Sequence, residues 1–417
     1  MKNITCMNCE SVNLRRFMDL GDQPNGNNFP TQQEIGTEIS FPFTMMVCTD
    51  CWQVQIEEFP SPEFMFSNHP YITGVNMPVI DHFRKMVDQT IEKFELPPHS
   101  LVLDIGCNDG TLLRVFQERE MRGIGIDPGA RTGRLCREQG STVCETFWNS
   151  EIADAVRRLN LRPDLITATA VFYHIQDIHD FVLGLKTVMN DNTVFMAQCV
   201  NLQDVIEKNQ FDHFYHEHTM IHGVAPLDSL FKRHGLRALD VEYYDVHGGS
   251  FVMYVGLETC KYATQPTIAA AIRRERDSGL QDFATYDAFR QRVEQNRADL
   301  MELLKRLKSE GSTVFALGAP LKGSTLLNYC GIGPELVECA TEVNEFKIGK
   351  LTPGTHIPIV DERSVIRQPD YYLLLSWNFL DFFVEKYDEF LRAGGKFIVP
   401  HPTARVVGHG DIRRVAA

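Results

Sequence analysis

Four thiols stand in two pairs, Cys6-x-x-Cys9 and Cys48-x-x-Cys51, separated by a 38-residue loop. Each pair sets two sulfurs on one tight turn, and two such turns close a tetrahedral site with no open position, the arrangement of a structural zinc ion. A metal held this way stabilises a segment too small to build a core of its own. A second concentration of reactive side chains is Phe211-Asp212-His213-Phe214-Tyr215-His216-Glu217-His218, with His222 close behind. Imidazoles and carboxylates at this density suit a metal site, acid–base chemistry or a polar surface loop. The His-Glu-x-x-His of zinc hydrolases is absent, and on the residues alone the three readings stay open.

A third group is built for a nucleotide. Leu101-Val102-Leu103-Asp104-Ile105 reads as a strand and runs into Gly106-Cys107-Asn108-Asp109-Gly110, ahead of a helix bearing Leu112, Leu113, Val115 and Phe116. Glycines let the backbone approach a ligand closely, and the helix start favours a carboxylate. Asp127, with Pro128 beside it, follows a second short strand 21 residues beyond Gly106, where a carboxylate accepts both hydroxyls of a ribose. A nicotinamide dinucleotide is the alternative ligand for such a turn, although the run departs from the dinucleotide Gly-x-Gly-x-x-Gly.

The elements that must position these residues follow from periodicity. Residues 1–60 are rich in turn signals and poor in periodic character, and a helical pattern begins near residue 78 with Ile80, Phe83, Met86, Val87 and Ile91. Strand-like runs at 124–127, 165–168 and 193–196 alternate with helices, which implies a parallel sheet covered on both faces. The segment around 265–310 is charged and helical and reads as a solvated connector. A second α/β alternation runs from Thr313 through Tyr371–Leu375 to Lys396–Val399. The expected divisions are a zinc module at 1–75, a nucleotide-binding domain at 76–262, a helical connector at 263–310 and a C-terminal Rossmann-like domain at 311–417.

Composition narrows the function classes. With 417 residues, 43% hydrophobic and 23% charged, the chain is ordinary globular material for more than one core. No apolar run approaches the roughly 18–20 residues that span a bilayer, so no membrane partner is expected. The first residues lack the apolar stretch of a signal peptide, and a reducing cytoplasmic location is the expectation. The 11 cysteines then read as free thiols or metal ligands rather than disulfides. A balance of 41 basic against 55 acidic residues, −14 overall, disfavours nucleic acid.

Resemblance adds to this reading. Asp104-Ile105-Gly106-Cys107-Asn108-Asp109-Gly110 resembles motif I of class I methyltransferases, with Asn108 at the usual middle glycine. The four-cysteine module, this motif, Tyr215-His216-Glu217-His218, His247-Gly248-Gly249-Ser250 and the run from Gly318-Ala319-Pro320 through Lys322-Gly323 to Asn328-Tyr329-Cys330-Gly331-Ile332 occur in one order. Along essentially the entire chain that order resembles the sugar-nucleotide C-methyltransferases, the C-3′-methyltransferases of branched deoxysugars. The resemblance implies a class I methyltransferase domain flanked by a zinc module and a C-terminal Rossmann-like domain. It implies S-adenosylmethionine as cofactor and, as partner, a 4-keto-6-deoxy sugar on a nucleoside diphosphate, dTDP before GDP. It sets no oligomeric state.

Removing a proton alpha to a ketone needs a base, and the enolate oxygen needs donors. By position in the family motif His218 is the base, Glu217 orients it or holds a sugar hydroxyl, and Tyr215 stands near the oxyanion. Tyr71 matches a family tyrosine near the sugar. The implied cofactor set is Asp104, Gly106, Asn108, Asp109, Gly110, Asp127 and Pro128. The implied substrate set is His247, Gly248, Lys322 and Asn328, with Lys322 and its glycine turn offered to the diphosphate. The chain departs from the family at His69, commonly an aromatic, at Gln198-Cys199-Val200-Asn201, often Glu-x-Pro-Tyr, and at the less aromatic Thr219-Met220-Ile221-His222. Two other classes stand beside this one: a zinc-containing RNA-modifying methyltransferase, and a non-catalytic binding protein of this fold. Three basic residues against eight acidic ones in residues 1–60 speak against RNA.

Overall fold

A seven-stranded sheet runs through the middle of the chain. Its spatial order is Leu236–Tyr244, Ser250–Leu257, Val194–Val200, Leu165–Thr169, Leu101–Ile105, Arg122–Ile126 and Thr142–Cys144. The structure, a computed structural model, describes residues 4–67 and 69–411. Leu101–Ile105 and Val194–Val200 are buried along their whole length, as strands covered on both faces require. Six of the seven strands point one way, five of them paired in parallel as the alternation predicts, and only Ser250–Leu257 is reversed, antiparallel to Val194–Val200 and to its hairpin partner Leu236–Tyr244. The connection through left-handed His247, Gly248 and Gly249 is too short for a crossover helix, so the chain can only reverse.

The helix Met77–Phe94 buries Val79, Ile80, Phe83, Met86, Val87 and Phe94 at helical spacing and ends at left-handed Glu95. Ahead of it, the turn-rich N-terminal stretch contains two long strands that periodicity missed, Leu14–Pro24 paired antiparallel with Ser40–Cys48. Register shifts at Arg16/Met18 and Asp19/Asp22 break the two-residue alternation that would have revealed them. This sheet continues through Val54–Ile56 to a fourth strand from far along the chain, Met220–Ile221.

The connector is also more than a solvated segment. Its helices Pro266–Asp277 and Phe283–Ser309 bury Tyr286, Phe289, Val293, Leu300 and Leu304. The Tyr286 ring lies 5.2 Å from Phe17 and 6.4 Å from Trp52, binding the connector to the N-terminal module. The C-terminal sheet has the order Ile359–Asp361, Ala340–Glu342, Val314–Leu317, Tyr371–Leu374, Lys396–Val399 and Arg405–Val407, parallel except for the last strand.

The buried Glu275 carboxylate accepts from Val224 N and, at 2.9 Å, from Ala225 N, so it caps the helix Val224–Arg233 from the connector. Glu275→Ala leaves two N–H groups without their acceptor and is expected to cost about 2–3 kcal/mol. A thermal unfolding midpoint several degrees below wild type checks this.

Candidate active site

The four predicted metal ligands meet. The sulfurs of Cys6, Cys9, Cys48 and Cys51 lie within 4.8 Å of one another, with Cys6–Cys51 and Cys9–Cys48 both at 3.5 Å. A tetrahedron with Zn–S bonds of ~2.3 Å has edges of ~3.8 Å, so the set fits a zinc ion whose four positions the protein fills. Nothing at this site is open to a substrate, and the metal is structural. Among the described residues this is the only group of three or more side chains arranged for a metal.

A cavity of about 810 Å³ opens beside the central sheet, walled by the N-terminal module, the central domain and the C-terminal domain. Asp104, Gly106, Asn108, Asp127 and Pro128 line it. Gly106 takes φ 73°, and a Cβ there would lie 2.3 Å from Val171, so only glycine fits. Asp127 accepts from Asn108 N at 2.9 Å on one oxygen, and from Gly129 N at 2.9 Å and Thr132 Oγ1 at 2.7 Å on the other. The carboxylate is therefore fixed before any ribose arrives. Burial pushes the Asp104 carboxyl up to about 7, against the opposing pull of the Thr167 hydroxyl 2.6 Å away. Asp109 and Gly110 stand behind the turn rather than on the cavity wall. Asp109 bonds Thr111 and Gly74 N, and Gly110 packs on Cys136. Their side-chain bonds and packing shape the turn.

The histidine-rich segment is buried, which removes the surface-loop reading. His213, His216, His218 and His222 are each at most 4% exposed. His222 pairs through Nδ1 with Gln53 Oε1 at 3.1 Å, and His216 donates to Pro42 O at 3.2 Å between Phe41 and Phe43. His218 sits in a turn closed by His218 N donating to Tyr215 O at 2.8 Å, which brings the two rings to 3.9 Å. Its Nδ1 donates to His213 O at 2.7 Å, a bond only the Nδ1–H form can make. Nε2 is left as the acceptor, without a protein partner among the described residues. Burial holds His218, His213 and His174 well below the usual 6.5, hence neutral.

Glu217 does not reach His218, although the two are adjacent in sequence. The turn sends it the other way, where both oxygens meet His69 Nε2 at 3.1 Å and one accepts from Asn27 Nδ2 at 2.6 Å. The expectation that Glu217 orients His218 is corrected accordingly. Tyr215, Glu217 and His218 lie one layer behind the cavity wall, which His69 and His174 form. The His174 ring stacks on His218 at 5.2 Å. Sequence reasoning missed His174 as a site residue, and the Phe172-Tyr173-His174 turn at the end of Leu165–Thr169 was the available signal.

The structure separates the residues expected near the substrate. Tyr71 and His247 line the cavity, whereas Gly248, Lys322 and Asn328 do not. Gly248 packs on Gln210 and Trp377. Lys322 is half-buried against Asn378 and the Trp377 ring, and desolvation brings its amine down to about 8. Asn328 donates to Ser324 O and Pro353 O. At the glycine turn, Ala319 N already donates to Glu342 at 3.1 Å, so a protein carboxylate occupies the place foreseen for a phosphate. The cations on the wall are Arg131, Lys347 and Lys350. Arg131 stacks on the Phe346 ring at 3.9 Å.

This strand order with its reversed edge hairpin, the glycine turn and the braced Asp127 define a class I S-adenosylmethionine-dependent methyltransferase that carries a structural zinc. Comparison with known proteins agrees. A zinc binding domain model matches residues 6–66, a methyltransferase domain model residues 80–241 and a C-methyltransferase C-terminal domain model residues 245–402. The C-methyltransferase NovU of Streptomyces niveus is 32% identical over 404 residues, 96% of each chain. The chain belongs to this C-methyltransferase family. Among solved structures, a magnesium protoporphyrin IX methyltransferase of Synechocystis with bound SAH is 12% identical over 43% of this chain and 82% of that one, TM-score 0.33. A SAM-dependent methyltransferase of Anabaena variabilis is 14% identical over 41% and 83%, TM-score 0.34.

The strand Met220–Ile221 leaves the His218 turn and pairs with Val54–Gln55, a few residues from Cys51. Removing the zinc with a chelator, or by Cys48→Ser, is therefore expected to lower methyl transfer while cofactor affinity persists. Elemental analysis should find about one zinc per chain before treatment, and calorimetry with the cofactor should separate the two effects.

Burial opposes the charge on both partners of the His69–Glu217 pair. Their mutual attraction wins, raising His69 above 6.5 and lowering Glu217 below 4.5. His69's contribution to stability is complete below pH 6.5 and fades as pH rises through its raised midpoint. Glu217's contribution is complete above pH 4.5 and fades as pH falls through its depressed midpoint. In Glu217→Gln, burial acts on His69 without its counter-charge, so an NMR titration is expected to place the His69 midpoint below 6.5.

Proposed function

We propose that the protein methylates a nucleotide-linked 4-keto-6-deoxy sugar at the carbon alpha to the ketone, C-3′, with dTDP the first choice of nucleotide and GDP the second. The observation that carries this reading is the composition of one cavity wall. A braced ribose-binding carboxylate, neutral imidazole, an acid-paired imidazole and three cations face a single space large enough for cofactor and acceptor together. S-adenosylmethionine supplies an electrophilic methyl group when bound at Asp127.

The residues divide the remaining work. His218 is the base that takes the alpha proton through Nε2, the nitrogen that its bond to His213 O leaves unprotonated, and the acceptor reaches it only past His174, which stacks on it from the wall. Tyr215, whose ring lies against His218 behind the same wall, is the donor for the enolate oxygen on that path. The Glu217–His69–Asn27 cluster and Tyr71 hold the sugar hydroxyls, and Arg131 and Lys350 take the diphosphate that the sequence had assigned to Lys322, Lys347 being held by Ala319 O at 2.9 Å. The cofactor side excludes water with Val79, Phe83, Leu112 and Ile126.

A second base has a specific observation in its favour: His174 is on the wall itself, stacked on His218. The two are separable. Wild type is expected to add one methyl, read by mass, to a member of a panel of nucleotide-linked 4-keto sugars. With a cofactor analogue lacking the methyl, it should exchange the alpha proton for solvent deuterium. His218→Asn should lose both activities by roughly 10²–10⁴-fold while binding both ligands. Exchange at the wild-type rate in His218→Asn, with its loss in His174→Asn, would move the base to His174.

A further inference from the structure

Asn108 stands at the usual middle glycine of the cofactor motif, and its backbone keeps the left-handed conformation glycine would take, φ 50°. Asparagine tolerates this region better than most residues, so the replacement adds a side chain at little strain. Both polar ends of that side chain are spent on the chain itself. Oδ1 accepts from Thr73 N at 3.0 Å and Thr73 Oγ1 at 3.2 Å, and Nδ2 donates to Tyr71 O at 3.1 Å. Beside it, Asp109 Oδ2 accepts from Gly74 N at 2.9 Å, an approach so close that a Cβ on Gly74 would lie 2.6 Å from that oxygen.

The same short segment is tied at its other end, where His69 meets Glu217. Residues 69–74 thus form a strap knotted to the cofactor turn on one side and to the turn bearing His218 on the other. Tyr71 lies between the knots, 42% exposed and on the cavity wall.

We infer that Asn108, although it sits in the cofactor motif, is a positioning residue for the sugar half of the site: through the strap it sets where Tyr71 and His69 stand over the substrate. This rests on the sugar-methylation reading above. Its backbone N–H, which braces Asp127, is a separate duty that any residue with this conformation performs. The two duties come apart in Asn108→Gly, which keeps the backbone and removes the side chain.

In Asn108→Gly, cofactor affinity measured by calorimetry is expected to stay within about twofold of wild type, because glycine adopts this φ freely. The kcat/KM for the sugar nucleotide is expected to fall about 10–100-fold, the scale of a misplaced positioning group. Asn108→Asp keeps an acceptor for Thr73 but sets an anion against Tyr71 O, and should fall between the two. Gly74→Ala forces the strap off from its other side and should reproduce the pattern. Weakened cofactor binding with intact sugar kinetics in Asn108→Gly, or no change in either, would overturn the assignment. If wild type methylates no keto-sugar nucleotide, the functional reading fails on its own. The strap is then decided by amide hydrogen exchange: faster exchange at Thr73 and Gly74 in Asn108→Gly, with cofactor affinity kept, supports it, and unchanged exchange overturns it.

Discussion

Two short strands hold this site together. Val54–Ile56 belongs to the cysteine-rich module and Met220–Ile221 to the segment that follows His218, and they pair antiparallel across more than 160 residues of chain. Thr219 O accepts from Ile56 N at 3.0 Å, and the Gln53 side chain bonds both Ile221 O and His222. A loop loses backbone entropy of about 1–2 kcal/mol per residue when it is fixed. Here the loss is offset by edge pairing with a sheet that the metal knuckles hold rigid. The four thiols stand off the cavity, yet the turn bearing His218 is anchored to their sheet.

A layered arrangement of charge follows from that anchoring. Glu217 and His69 share one buried ion pair, while His174, His213 and His218 lie close together with no carboxylate bonded to their rings. A buried imidazole without a counter-charge stays neutral, and one beside a carboxylate takes a proton. Residues of one type are thus pushed in opposite directions, His69 up and His174, His213 and His218 down. The turn at 215–218 decides which receives the carboxylate.

Much of the architecture was legible in the residues, and the failures have physical causes. Leu101–Ile105, the helix from Met77 and the four thiols announced themselves because each obeys a local rule of period or spacing. The strands Leu14–Pro24 and Ser40–Cys48 did not, since two bulges shift their alternation. Glu217 looked like His218's partner because adjacency in sequence says nothing about which side of a turn a carboxylate takes. Lys322 looked like a phosphate ligand because a glycine turn before a helix usually offers free donors. Its neighbour Ala319 had already found Glu342, a partner 23 residues away that no local pattern reveals. His69 and His174 enter the wall only through tertiary packing.

The pairing of Met220–Ile221 has a consequence for descent. Side chains along a strand alternate faces, so inserting or deleting one residue between His218 and Ile221 would swap the inner and outer sets and turn the imidazole out of its stack. That stretch can drift in composition but not in length. Another part of the wall is freer: Phe346 and Lys347 come from a loop between Ala340–Glu342 and Ile359–Asp361, which pairs back on Ile359 only from Gly349 and Lys350 on. Remodelling that loop would therefore change the wall it gives the cavity, while the stretch from His218 to Ile221 is held to constant length by its pairing.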